Sequence, residues 1–158
     1  MFSSLGWICL KLGLLFSKKP LLPERTQGEF PYKIVYELNG ETHTVEGKYI
    51  CKYDGIATDE GRGKHRTWVG YVDGTEEKSV YLFENEEVAI YCYIGDAGYY
   101  MGDNEYSGHI EGTPLIPRLF CKPKIEEIIS LTEDEILERY KIRILEYKIS
   151  EPIANSFQ

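Results

Sequence analysis

Residues 30–53 constrain this chain's fold more than any other segment. Phe30, Tyr32, Ile34, Tyr36 and Leu38 point one way and Lys33 and Glu37 the other, the period of a half-buried strand. Asn39-Gly40 follows, the strongest short hairpin signal. A two-residue loop sets Ile34 opposite Val45 and Tyr36 opposite His43. That register also places Val45, Tyr49, Cys51 and Tyr53 on the apolar face. A slip of one residue would turn every one of them to water, so turn and pattern specify the same pairing.

More strands are expected downstream. Asp54-Gly55 closes the second strand, and residues 54–66 read as a polar connection. Trp68 to Val72 is a strand, Asp73-Gly74 a second hairpin turn, and Ser79 to Phe83 its partner. Asn85-Glu86-Glu87 leads to Val88–Ile94, apolar on both faces and therefore central. Gly95 to Gly112 holds five glycines and reads as loops around a short strand. Leu115 to Cys121, interrupted by Pro117, reads as an edge strand. Thr132-Glu133-Asp134-Glu135 is a capping box that opens a short helix ending near Tyr140. Ile142 to Ile149 alternates as a last strand, with Ile142, Ile144, Glu146 and Lys148 on one face. The fold class is mainly β: an antiparallel β-sandwich or barrel-like sheet with one short C-terminal α-helix. Thirteen tyrosines in 158 residues agree, since tyrosine favours strands.

Residues 1–22 form a separate hydrophobic segment ahead of a single β-rich globular domain, 23–158. The apolar run 5–16 would span about 18 Å as a helix. A bilayer core needs about 30 Å, so the run is an interfacial anchor or a truncated signal rather than a span. Ser4, Lys11 and Lys18 recur every seven residues and share a helical face, which suits a membrane surface contacted through residues 1–19. The lysines follow the apolar run instead of preceding it, and no small-residue cleavage site follows, so the segment departs from an export signal. Lys18-Lys19-Pro20-Leu21-Leu22-Pro23 is a linker.

The net charge is −8, and the first 22 residues carry three lysines and no acid. The remainder has 15 basic against 26 acidic residues, about −11, which repels phosphate backbones and argues against a nucleic-acid partner. The four cysteines, Cys9, Cys51, Cys92 and Cys121, form no C-x-x-C pair and read mainly as small buried hydrophobes. With three scattered histidines they give no zinc pattern, and no cofactor is implied.

Several stretches resemble a family of uncharacterised small lipoprotein-like or membrane-anchored proteins of low-GC Gram-positive bacteria. They are Phe30-Pro31-Tyr32, Glu37-Leu38-Asn39-Gly40-Glu41, Tyr100-Met101-Gly102-Asp103, Tyr140-Lys141-Ile142, and Glu151-Pro152-Ile153-Ala154-Asn155-Ser156-Phe157. The likeness covers most of residues 29–157. It implies an extracytoplasmic body behind an anchor. It assigns no activity and no catalytic residues. This chain lacks the family's lipid-attachment motif and basic start.

No G-x-S-x-G, H-E-x-x-H or complete phosphate loop is present, so no residue is assigned to catalysis. His43, His65 and His109 are isolated general-base candidates, with His43 expected to rim the first hairpin. Arg62, Lys64, His65 and Arg66 form a basic tip on an acidic body, suited to an anion or an acidic partner. Asp96, Asp103, Asn104 and Glu105 could ligate Ca²⁺, but Asp and Asn are also ordinary turn residues and no metal site is assigned. Trp68, Tyr71, Tyr91, Tyr93, Tyr99, Tyr100 and Tyr106 can make an aromatic binding face. The expected function is a non-enzymatic binding or interaction module at the cell envelope, with a protein or cell-wall partner. The alternatives are an enzyme using carboxylate pairs from 54–60 or 96–105, and a structural protein on the cytoplasmic face.

Overall fold

The computed structural model describes residues 18–59, 62–86, 88–103, 105 and 131–158, and, as backbone, 118–123 and 129–130. The first hairpin has the expected register. Strand β1 (Gln27–Leu38) pairs antiparallel with β2 (Glu41–Asp59), with Ile34 opposite Val45 and Tyr36 opposite His43. Asn39 and Gly40 turn at φ 52° and 85°, the positive values that match the strands' twist. Phe30, Tyr32, Ile34 and Tyr36 are all buried, as the alternation requires.

β2 does not stop at Asp54. The pairing with β3 (Gly63–Val72) steps from Tyr53–Trp68 to Gly55–Thr67, which leaves Asp54 as an extra, exposed residue. This is a β-bulge, with Gly55 at φ 103°, a conformation that other residues rarely adopt. A dipeptide expected to end the strand bends it instead. Residues 55–59 and 63–67 are paired strand rather than the expected polar connection.

The other corrections also follow from pairing. Asp73-Gly74 is not a hairpin turn. It carries the chain out of one sheet, and β4 (Ser79–Glu84) pairs with β5 (Val88–Tyr93) in another. In the 95–112 stretch, residues 97–100 form a one-turn helix, α1 (Ala97–Tyr100). The strand expected at 115–121 is observed as β6 (Arg118–Pro123), and Leu115 to Pro117 lie outside the described residues. β6 is internal, set between β5 and the two-residue β7 (Ile129–Ser130). Residues 1–17, His109 and Tyr106 also lie outside the described residues.

The capping box at Thr132 is present. The Thr132 hydroxyl accepts from the Glu135 amide at 3.3 Å, and the Glu135 carboxylate accepts from the Thr132 amide at 2.9 Å, opening α2 (Glu133–Tyr140). Thr132→Ala is expected to cost about 1 kcal/mol in a denaturant titration. The last strand, β8 (Ile142–Ile149), pairs with β1 but changes parity midway. The register steps from Tyr36–Ile144 to Val35–Glu146, leaving Leu145 unpaired and 49% exposed. Ile142 and Ile144 therefore share the inner face with Tyr147 and Ile149, not with Glu146 and Lys148.

The architecture is mainly β and antiparallel. A curled sheet of order β3-β2-β1-β8 joins a second sheet of order β4-β5-β6-β7, with a short helix near the C-terminus. Their inner faces share one core that includes Ile34, Tyr49, Cys51, Ile90, Cys92 and Ile94. Tyrosine hydroxyls bond to backbone carbonyls in the interior, and those of Tyr36 and Tyr49 join the two halves. Tyr36 donates to the Leu82 carbonyl at 2.7 Å, Tyr49 to Gly95 at 2.9 Å, and Tyr100 to Ile94 at 2.9 Å. Each such bond is worth about 1 kcal/mol net, and an orphaned buried carbonyl would cost more. Part of the tyrosine excess is therefore interior bracing.

Candidate functional site

Asp96 starts the segment that carries the densest polar cluster among the described residues. Its carboxylate accepts from the Gly98 and Tyr99 amides at 2.8 and 3.4 Å, which caps α1. The turn that follows brings Asp103 under β3. There the strand alternation aims Arg66 and Trp68 inward, 4% and 9% exposed. Arg66 Nε and Nη2 donate to the two Asp103 oxygens at 2.7 and 2.6 Å, a bidentate pair. Trp68 Nε1 donates to Oδ2 at 2.8 Å and the Glu105 amide to Oδ1 at 3.2 Å. Burial alone would raise the Asp103 pKa. The hydrogen bonds from Arg66 and Trp68, with the guanidinium charge, outweigh it and hold the carboxyl below its ordinary range.

Arg66 also fastens the start of the described body to its end. Nη1 donates to the Leu21 carbonyl at 3.0 Å, Nη2 lies 3.0 Å from the Glu105 carboxylate, and the guanidinium sits 4.2 Å from the Phe157 ring centroid. Around it residues 22–24 and 156–158 are zipped together. The Leu22 amide donates to Gln158, Gln158 back to Leu22, and Glu24 to Ser156, at 2.7, 2.9 and 2.8 Å. The Asn155 side chain holds both the amide and the carbonyl of Arg25, and donates to Met101. Asn155→Ala is expected to cost about 1–2 kcal/mol and to speed hydrogen exchange at the Arg25 amide. Residues 100–103 and 151–157 thus pack on each other. A cleft of about 370 Å³ remains between them, lined by Tyr99, Gly102, Asp103 and residues 152–155.

The basic tip is not brought together as expected. Arg66 is committed to Asp103 inside the domain. Arg62 is exposed at the hairpin end, where its Nε lies 3.6 Å from Asp59, and His65 Nδ1 is 3.5 Å from the same carboxylate. Lys64 is half-buried on β3. The acidic loop residues are also dispersed, since Asp96 caps a helix and Asp103 holds Arg66. Asn104 lies outside the described residues. Among the described residues no group of three or more His, Cys, Asp or Glu is placed to hold a metal ion. Cys51 and Cys92 are fully buried free thiols, each pushed up to about 12 mainly by burial, and are unreactive at neutral pH.

The aromatic set divides. Tyr100 is buried against Phe30 and Tyr49, and Trp68 is spent on Asp103. Tyr99 lines the cleft. Tyr71 lies on the outer face of the curled sheet, with the Lys52 ammonium 5.3 Å from its ring centroid. Tyr91 and Tyr93 are half-buried and share the outer face of β5. Sequence reasoning missed their neighbour Tyr81, 44% exposed, whose ring centroid is 5.7 Å from that of Tyr91. The signal was present in Val80-Tyr81-Leu82, because two buried apolar neighbours turn the residue between them outward. Tyr81 and Tyr91 are direct cross-strand partners and form an outward-facing aromatic pair. Comparison with protein-family models, with curated proteins and with solved structures finds no match for this chain.

Proposed function

We propose that this chain is a non-enzymatic interaction module held at a membrane surface of the cell envelope, its body on the extracytoplasmic side. The observation that carries the reading is the junction between the hydrophobic segment and the body. Lys18 and Lys19 are exposed there, beside Leu21 and Leu22 at 53% and 47% exposure. Apolar side chains beside ammonium groups suit the boundary between headgroups and acyl chains. The zip from Leu22 to Gln158 ties that junction firmly to the domain, so an anchor at residues 1–19 would hold the whole body. Among the described residues no helix is long and apolar enough to cross a membrane.

The polar cluster supports an interaction role over catalysis. Asp103 already accepts four hydrogen bonds, which leaves it little capacity to take a substrate proton. The Tyr81–Tyr91 pair is a surface on which a protein or cell-wall partner can pack. Flotation with vesicles containing anionic lipid tests the anchor. The full chain is expected to float and a version beginning at residue 20 to remain in the dense fraction. A full chain that stays in the dense fraction would contradict the reading.

A further inference from the structure

We propose that Asn39 is a site of spontaneous deamidation and isomerisation, so that the first hairpin carries its own chemical limit. The Gly40 backbone nitrogen attacks Cγ of the Asn39 side chain. The new N–C bond closes a succinimide ring, and the Cγ–Nδ2 bond breaks as ammonia leaves with the Gly40 proton. Water then opens the ring. Cleavage of the N–Cγ bond gives aspartate, and cleavage of the bond to the backbone carbonyl gives isoaspartate. Base promotes the first step by removing the Gly40 proton, and a glycine leaves the attacking nitrogen least hindered. Both residues are exposed in the loop between β1 and β2, and a Cβ on Gly40 would meet nothing within 4 Å, so the folded chain has room for the ring. Among the described residues neither the Asn39 side chain nor the Gly40 N–H makes a hydrogen bond.

The other described asparagines are held. Asn155 Oδ1 accepts from the Arg25 amide at 2.9 Å, and its Nδ2 donates to the Arg25 and Met101 carbonyls at 2.9 and 3.1 Å. Asn85 Oδ1 accepts from the Val88 amide at 2.8 Å. Ser156 and Glu86 follow them, where Gly40 follows Asn39. The two products at Asn39 differ in consequence. Asp-Gly suits the same turn as Asn-Gly, so the aspartate form keeps the hairpin and adds one negative charge. Isoaspartate lengthens the main chain by one atom in a loop whose two residues set the register. That loop also holds a corner of the fold. The Asn39 amide donates to the Lys141 carbonyl at 3.0 Å, and Leu38 pairs with Glu41 on one side and Ile142 on the other. Damage at this one residue therefore reaches β1, β2 and β8.

The test is peptide mapping by mass spectrometry of the folded full chain, aged at body temperature in mildly alkaline buffer. The peptide holding Asn39 is expected to gain one mass unit, as an amide NH2 becomes OH, before the peptides holding Asn85 and Asn155 do. Fragmentation across residue 39 should show aspartate and isoaspartate together. The gain should vanish in Asn39→Gly, which keeps the turn because Gly-Gly also suits it. Asn39→Asp stands in for the direct hydrolysis product and should melt with the wild type, whereas aged chains rich in isoaspartate should melt lower. A folded chain whose Asn39 gains no mass, while the same chain in denaturant does, would overturn the proposal, since the turn would then protect the residue. Modification at Asn85 or Asn155 as fast as at Asn39 would overturn it too. Aged chains that melt as high as Asn39→Asp would overturn the claim that isoaspartate breaks the register.

Discussion

Asp103→Ala is expected to lower the unfolding free energy by about 3–5 kcal/mol, enough to unfold much of a domain of ordinary stability. The substitution leaves the buried Arg66 guanidinium without its bidentate partner and the Trp68 indole N–H without an acceptor. Arg66→Ala should cost a similar amount from the other side, and should also free the Leu21 carbonyl and the Phe157 ring. Replacing both together, as Arg66→Met with Asp103→Leu, should cost clearly less than the two single losses added. The pair's own net contribution is small, and most of each single loss is the uncompensated charge. Denaturant midpoints at constant slope measure all three.

The same pair predicts a pH dependence. The folded-state pKa of Asp103 lies below its ordinary value. The unfolded chain therefore binds this proton at higher pH than the folded one does. The stabilisation is fully present above about pH 4 and is lost as pH falls through the lower folded value. The stability gap between wild type and Asp103→Asn should be constant from pH 7 to about pH 5 and narrow below about pH 4.

Gly70→Ala is the second large effect. A methyl group at Gly70 would stand 2.0 Å from the Tyr49 hydroxyl oxygen and 3.0 Å from the Ala97 Cβ. Tyr49 has little room to retreat, because it is 1% exposed and its hydroxyl is bonded to the Gly95 carbonyl. Overpacking of this kind costs about 1–3 kcal/mol, and displacing the hydroxyl adds the lost hydrogen bond, about 1 kcal/mol more. A fall of about 3 kcal/mol is expected. In the background of Tyr49→Phe, which has already lost that hydroxyl and its bond, Gly70→Ala should cost less.

The hairpin and the capped helix were legible because each is encoded locally. Asn39-Gly40 and the Phe30–Leu38 alternation state the same register, and Thr132 with Glu135 forms its box within four residues. Asp54-Gly55 was misread because one dipeptide serves both a turn and a bulge, and only the partner strand β3 decides between them. The parity change at Leu145 has the same origin, as does Asp73-Gly74, whose strands belong to different sheets. For the site, the sequence identified charged and aromatic residues without their partners. Chain order groups Arg66 with its neighbours Arg62 and Lys64. In the fold it belongs with Asp103, 37 residues away, because α1 returns the chain beneath β3. Tyr100 and Trp68 were counted as surface because tyrosine and tryptophan are two-natured, and here their polar ends meet Ile94 and Asp103 inside the domain.

The central claim is that the densest cluster of charge among the described residues is a structural clasp, in which Arg66 and Asp103 satisfy each other inside the domain. Carboxyl-carbon NMR of Asp103 in the folded chain tests it most directly. A clasp predicts a carboxylate that stays ionised below the ordinary Asp value of about 3.9, with no transition between pH 5 and 8. A midpoint raised to about 5 or above would mark a carboxyl poised to exchange protons, and would contradict the account in favour of a catalytic one.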